Sequence, residues 1–158
     1  MPISIPALHA SSKAAAKGSA LIFIARRKDA LHAGEFEIKI NASFDASVND
    51  YPIGGFSLRT DLSDSVKAVF TSTSIELVNS FGKHTPVIYL TGRCSVKLLE
   101  DSERPAGSRY WLMIADNRRD EQRATPDIVG FAITDRKGNR VAYGTGPVIK
   151  GDIVVAPS

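Results

Sequence analysis

Polar and apolar residues alternate along most of the chain with a period of two, which is the signature of strands with one buried face. Glu35-Phe36-Glu37-Ile38-Lys39-Ile40-Asn41 alternates without a fault. Leu21 to Arg26 precedes it as a strand candidate, and Gly55 to Thr60 follows the turn residues Asn49, Asp50 and Pro52. Val66 to Thr71 and Ser74 to Asn79 are short candidates, and Pro86 to Leu99 is a long one. In that long segment Ile88, Leu90, Gly92, Cys94, Val96 and Leu98 share one face, so Cys94 is expected to point inward. Arg109 to Ala115, Ile128 to Thr134, Arg140 to Tyr143 and Asp152 to Val155 complete the pattern.

Turn residues punctuate these runs at short, regular spacing, and no stretch has a convincing helical period. The expectation is an all-β, single-domain antiparallel sandwich of roughly nine or ten strands. The first 18 residues read differently. Pro2 and Pro6 precede the small-residue run Ala10 to Lys17, which has no apolar face and stops at Gly18. Residues 1–18 are therefore expected to form a flexible N-terminal arm, with the sandwich spanning 19–158.

Composition changes this picture little. A chain of 158 residues with 43% hydrophobic and 23% charged residues is long enough to bury one core unaided. Its net charge of +3 is too small to imply a nucleic-acid partner. A single cysteine excludes an internal disulfide. The apolar stretch Ala20 to Ala25 is closed at once by Arg26-Arg27-Lys28, too short for a membrane span or a signal-peptide core. The expected location is extracellular or at the cell surface if a leader has been removed, and cytoplasmic otherwise.

The second half of the chain carries a connected set of features. A strand ends in Asp116-Asn117, and after a polar loop comes Asp127-Ile128-Val129-Gly130-Phe131-Ala132-Ile133-Thr134-Asp135. Gly138-Asn139-Arg140-Val141-Ala142-Tyr143 follows, and Lys150-Gly151-Asp152-Ile153-Val154-Val155 closes the pattern. Upstream, Ser72-Thr73-Ser74-Ile75, Leu90-Thr91-Gly92 and Arg26-Arg27-Lys28 belong to the same set. In this order they resemble the β-sandwich modules that follow choice-of-anchor domains in large bacterial surface and secreted proteins. The resemblance implies a non-enzymatic accessory module. Those modules usually place a glycine, glutamate, proline, glycine turn after the Asp-Asn pair, where this chain has Arg118-Arg119-Asp120-Glu121.

Candidate chemistry is sparse. The three histidines, His9, His32 and His84, are isolated, with no His-x-His or His-Glu-x-x-His spacing. No phosphate-binding glycine loop or nucleophile elbow is present, so neither a catalytic residue nor a cofactor is expected. Asp116, Asn117, Asp120 and Asp127, with Glu121, form an oxygen-rich loop of the kind calcium accepts. Arg118, Arg119 and Arg123 stand in the same loop and repel a cation, so an ordinary solvated turn is the expectation and no metal is assigned. The basic spots Arg26-Arg27-Lys28 and Arg136-Lys137 with Arg140 read as solubilising charge at strand ends.

Trp111 and Met113 share one strand face, opposite Tyr110, Leu112 and Ile114. Trp111 is core if both faces of its sheet are covered and marks a contact surface if not. Three functions follow as expectations. The first is a structural or interaction module with a protein partner. The second is a phage or cytoplasmic self-assembling protein, and the third a small-ligand barrel whose cavity is lined by Pro86 to Leu99.

Overall fold

The computed structural model describes residues 13–26, 33–60, 63, 67–98, 108–117 and 126–156. Nine strands follow in chain order: β1 Lys13–Ile24, β2 Gly34–Asp45, β3 Ile53–Arg59, β4 Ala68–Ser72, β5 Leu77–Phe81, β6 Val87–Leu98, β7 Ser108–Ala115, β8 Ile128–Thr134 and β9 Arg140–Val155. Every pairing between them is antiparallel. No α-helix occurs among the described residues, and none of them forms a helix long and apolar enough to cross a membrane.

The expected sandwich is replaced by a closed ring. The order runs β4-β3-β2-β1-β9-β8-β7-β6-β5, and β4 also pairs with β6. That last pairing joins the two ends of the ladder. Twelve-residue β6 makes it possible, because one edge is long enough for two partners: Ala68–Ser72 lies along Cys94–Leu98, and Leu77–Phe81 lies along Val87–Thr91. β4 and β5 thus share one position in the wall, and eight positions close the barrel, a size whose interior side chains just fill.

They do fill it. Phe36, Phe70, Ile38, Leu58, Leu90, Leu112, Ile114 and Ile133 are among the fully buried side chains. Phe36 packs on Phe131 with ring centroids 5.2 Å apart, and Phe56 meets Tyr110 edge-on at 4.6 Å. The inward residues of β6, Ile88, Leu90, Cys94 and Val96, belong to this core rather than to a cavity wall.

The boundary of the expected arm also moves. Lys13 to Gly18 form the first half of β1, paired with Ile40 to Asp45 of β2. Ala14 and Ala16 are buried between exposed Lys13 and Lys17, so the run does alternate. Alanine is too small for that alternation to stand out in the sequence. Gly18 lies inside the strand with φ of 149°, a conformation open to glycine, and a Cβ there would meet the Asp152 carbonyl oxygen at 2.2 Å. Residues 1–12 lie outside the described residues. At the other end, the two segments expected at Arg140 and Asp152 are one 16-residue strand, which pairs first with β8 and then with β1.

Candidate functional site

Two features of the barrel surface concentrate chemistry. The first lies just beyond the ends of β7 and β8. Asp116 follows the last residue of β7, and its N–H donates to the Pro86 carbonyl at 2.9 Å, which extends the β6–β7 ladder by one bond. Its side chain turns back into the wall, where Oδ2 accepts the Val155 N–H at 2.9 Å. Asp127 precedes β8, and its carbonyl accepts the Val148 N–H at 2.8 Å. Both aspartates are buried.

Asp152 joins them from β9, and carboxylate oxygens of all three lie within 4.8 Å of one another. Oxygens gathered this closely repel one another and attract cations. Of the oxygen-rich loop residues, the structure unites Asp116 and Asp127 with a third carboxylate that sequence reasoning missed. Asp152 lies 25 positions after Asp127, and only the register of β9 on β1 brings it back. Asn117 turns elsewhere, its Nδ2 donating to the Pro126 carbonyl at 3.0 Å. Asp120, Glu121, Arg118, Arg119 and Arg123 lie outside the described residues.

The second feature is the outer face of β5 to β9. The registers align side chains in rows across the wall: Phe81, Val87, Ala115, Ile128 and Pro147 form one, and Leu77, Thr91, Trp111, Ala132 and Tyr143 another. Between them run Tyr89 and Met113. Trp111 is 38% exposed and Phe81 52% exposed, so the uncovered alternative for Trp111 is the one realised. Phe81 stacks on Tyr89 at 5.6 Å, and Tyr89 meets Trp111 at 6.0 Å, a continuous diagonal of rings.

A basic border closes this face at one end. Glu76 receives Arg109 Nη1 at 2.7 Å and faces Arg93 Nε at 3.5 Å, and Arg140 lies 4.2 Å over the Tyr143 ring. The outer side of β1 to β4 is more polar, with Lys17, Ser19, Lys39, Asn41 and Ser57 along its strands, although Phe23 and Ile53 are exposed there too. An open depression of about 460 Å³ lies there, floored by Gly54 and Gly55 and edged by Lys39, Asn41 and Thr71.

Other candidates take structural places. Cys94 is buried, and desolvation pushes its thiol pKa up to about 11, away from the reactive thiolate form. Burial likewise raises the pKa of Tyr110, with Cys94 and Glu76 adding to the effect; its hydroxyl donates to the Ser74 carbonyl at 2.8 Å. His84 is exposed beside the β5–β6 turn, while His9 and His32 lie outside the described residues. Arg136 and Lys137 stand exposed in the β8–β9 turn, which Asp135 organises by accepting the Asn139 and Lys137 N–H groups; those bonds hold its carboxyl pKa below the usual value. Arg26 is exposed, and Arg27 and Lys28 lie outside the described residues.

No protein-family model, curated protein or solved structure matches the chain.

Proposed function

We propose that this chain is a non-enzymatic structural or interaction module of a bacterial surface, secreted or assembled structure, working through the outer face of β5 to β9. The observation that carries the reading is the contrast between the two sides of the wall. The interior is packed with aliphatic and aromatic side chains, whereas the diagonal Phe81, Tyr89 and Trp111 faces solvent. Contiguous exposed apolar area of this kind marks contact surfaces on soluble domains, and tryptophan and tyrosine are the side chains that most often dominate binding energy.

The resemblance to modules that follow choice-of-anchor domains supports the same class. A self-assembling structural protein is the second reading, since the same exposed aromatic diagonal can meet another copy of the chain. A small-ligand barrel has less support, because the inward side chains of β6 are core.

Site-specific photo-crosslinking in the native cells tests the proposal. A photoreactive residue at position 111 is expected to capture one discrete protein, and the same residue at Asn41 on the polar side none. Equal labelling from both positions, or none from 111, would remove the assignment of the face.

A further inference from the structure

We propose that the partner protein presents an acidic, extended segment, which seats on a row of arginines at one end of β6 to β9 with an apolar side chain against Trp111. The inference rests on the interaction reading and names the chemistry of the occupant. Its basis is a local concentration of positive charge. The registers Arg93↔Arg109, Arg109↔Thr134 and Thr134↔Arg140 set three arginines in one row across four adjacent strands. Arg136 and Lys137 stand exposed in the β8–β9 turn at the same end. Beside these five cations the described residues offer two carboxylates, Glu76 and Asp135. Five against two leaves an excess of three positive charges, as large as the formal net charge of the whole chain, so the protein's mild basicity is gathered here.

Neither carboxylate closes the row. Asp135 is turned into its own turn, where it accepts the Lys137 and Asn139 N–H groups. Glu76 lies between Arg93 Nε at 3.5 Å and Arg109 Nη1 at 2.7 Å, which shows that this pair grips a carboxylate. All three of these side chains are exposed, and exposed pairs are weak, so a carboxylate of the partner can displace Glu76 without a large loss. Arg140 needs no displacement. Its guanidinium lies 4.2 Å over the Tyr143 ring, which covers its flat face and leaves the N–H edge for an anion.

Thr91, Trp111, Ala132 and Tyr143 form the next row on the same face, about 6.8 Å away along the strands. From Arg93 to Arg140 is three strand spacings, about 14 Å around the wall, which is also the length of about five residues of extended chain. A segment running across the strands follows the curve of the barrel and needs no flat face. Acidic residues near its two ends meet Arg93 and Arg140, and an apolar residue between them reaches Trp111. Single-stranded nucleic acid would address the same groups with phosphates and bases. A peptide is favoured because Leu77, Trp111 and Met113 border the row, where a longer phosphate backbone would need further cations.

Trp111 is the only tryptophan of the chain, so its fluorescence reads the site directly. Titrating the full chain with a random copolymer of glutamate and tyrosine should change that emission saturably, and polyglutamate without tyrosine should bind more weakly. Arg109→Glu and Arg140→Glu change exposed residues, so both should fold as wild type by circular dichroism, and each should raise the dissociation constant at least ~10-fold. Lys39→Glu makes the same change of charge on the opposite side of the barrel and should leave binding unchanged. Glu76→Gln removes the internal competitor and should tighten binding about 2- to 5-fold, the scale of an exposed ion pair. No saturable change in emission, an equal loss from Lys39→Glu, or weaker binding by Glu76→Gln overturns the inference. Tighter binding of oligothymidylate than of the copolymer overturns it too and assigns the row to nucleic acid. In the native cells, capture from position 111 should be lost when Arg109→Glu is added. If capture of a discrete protein persists undiminished, the acidic segment is wrong and the interaction reading stands.

Discussion

The carboxylate of Asp116 accepts the backbone N–H of Val155 at 2.9 Å, joining the end of β7 to the last residue of β9 across 39 positions of sequence. The two strands are not neighbours in the sheet, since β8 lies between them. Val148 is the last residue of β9 bonded to the β8 side, through Asp127, and the strand then turns to follow β1. The edge of Ile153 to Val155 left by that departure is met by a side chain instead of a strand. Asp116→Ala is therefore expected to leave a buried amide without an acceptor, at a cost of about 1–3 kcal/mol in urea unfolding. Asp116→Asn keeps an acceptor oxygen and should lose less. An alanine variant within about 0.5 kcal/mol of wild type, the range of ordinary surface substitutions, would show that water takes over the bond.

Gly92 on β6 makes room for the link between β4 and β5. A Cβ there would stand 2.1 Å from the Ser74 carbonyl oxygen and 3.0 Å from Tyr110 Oη. The same carbonyl accepts the Tyr110 hydroxyl. Gly92→Ala should push the 73–76 segment off the wall and break that bond, destabilising by about 1–3 kcal/mol or more. Tyr110→Phe, which removes only the hydroxyl, should cost about 1 kcal/mol. If the two variants melt together, the close approach at Gly92 carries no weight of its own.

Cys94 is expected to react slowly with a thiol reagent in the native protein and at normal speed in denaturant. Alkaline unfolding reports the same burial. The thiol holds its proton to a pH of about 11 in the folded chain against 9.0 as its ordinary value. The unfolded chain loses that proton first, so the contribution is fully present below about pH 9 and is lost as the pH rises through about 11. Tyr110, whose ordinary value is 10.0 and is raised by burial, acts in the same direction at higher pH. Melting temperature measured against pH should thus fall above about pH 9. In Cys94→Ala the onset should move up toward about 10, the ordinary tyrosine value. Unchanged onset in that variant would assign the whole effect to other groups.

Millimolar calcium is expected to leave the melting temperature unchanged. Asp116 Oδ2 is engaged by the Val155 amide and the Asn117 amide group by Pro126, whereas calcium takes about six to eight oxygen ligands. Binding to the folded state alone, at a hundredfold excess over the dissociation constant, would add about 2.7 kcal/mol and raise the melting temperature by several degrees. A rise of that size, lost in Asp152→Asn, would convert the aspartate cluster into a metal site.

The all-β class, most strand positions and the inward direction of Cys94 were legible in the alternation of residues such as Phe36-Glu37-Ile38-Lys39-Ile40. Period two is a local consequence of the pleat, and each strand writes it into its own sequence. The first half of β1 was not legible, because Ala14 and Ala16 bury too little area to contrast with their neighbours. The resemblance-based reading of the module rests on residue order alone.

By itself, then, the sequence determined which side of most strands is buried, and in doing so it separated Trp111 from Tyr110. It did not determine which strands pair. The closure of β4 onto β6, the third carboxylate beside Asp116 and Asp127, and the exposure of Trp111 were decided by tertiary structure. The physical reason is the same in each case: alternation specifies a face but not a neighbour, and a wall closes into a barrel through registers between residues far apart in the chain. Asp152 reaches Asp127 because β9 leaves β8 for β1, and Trp111 is uncovered because a closed barrel buries only one face of every strand.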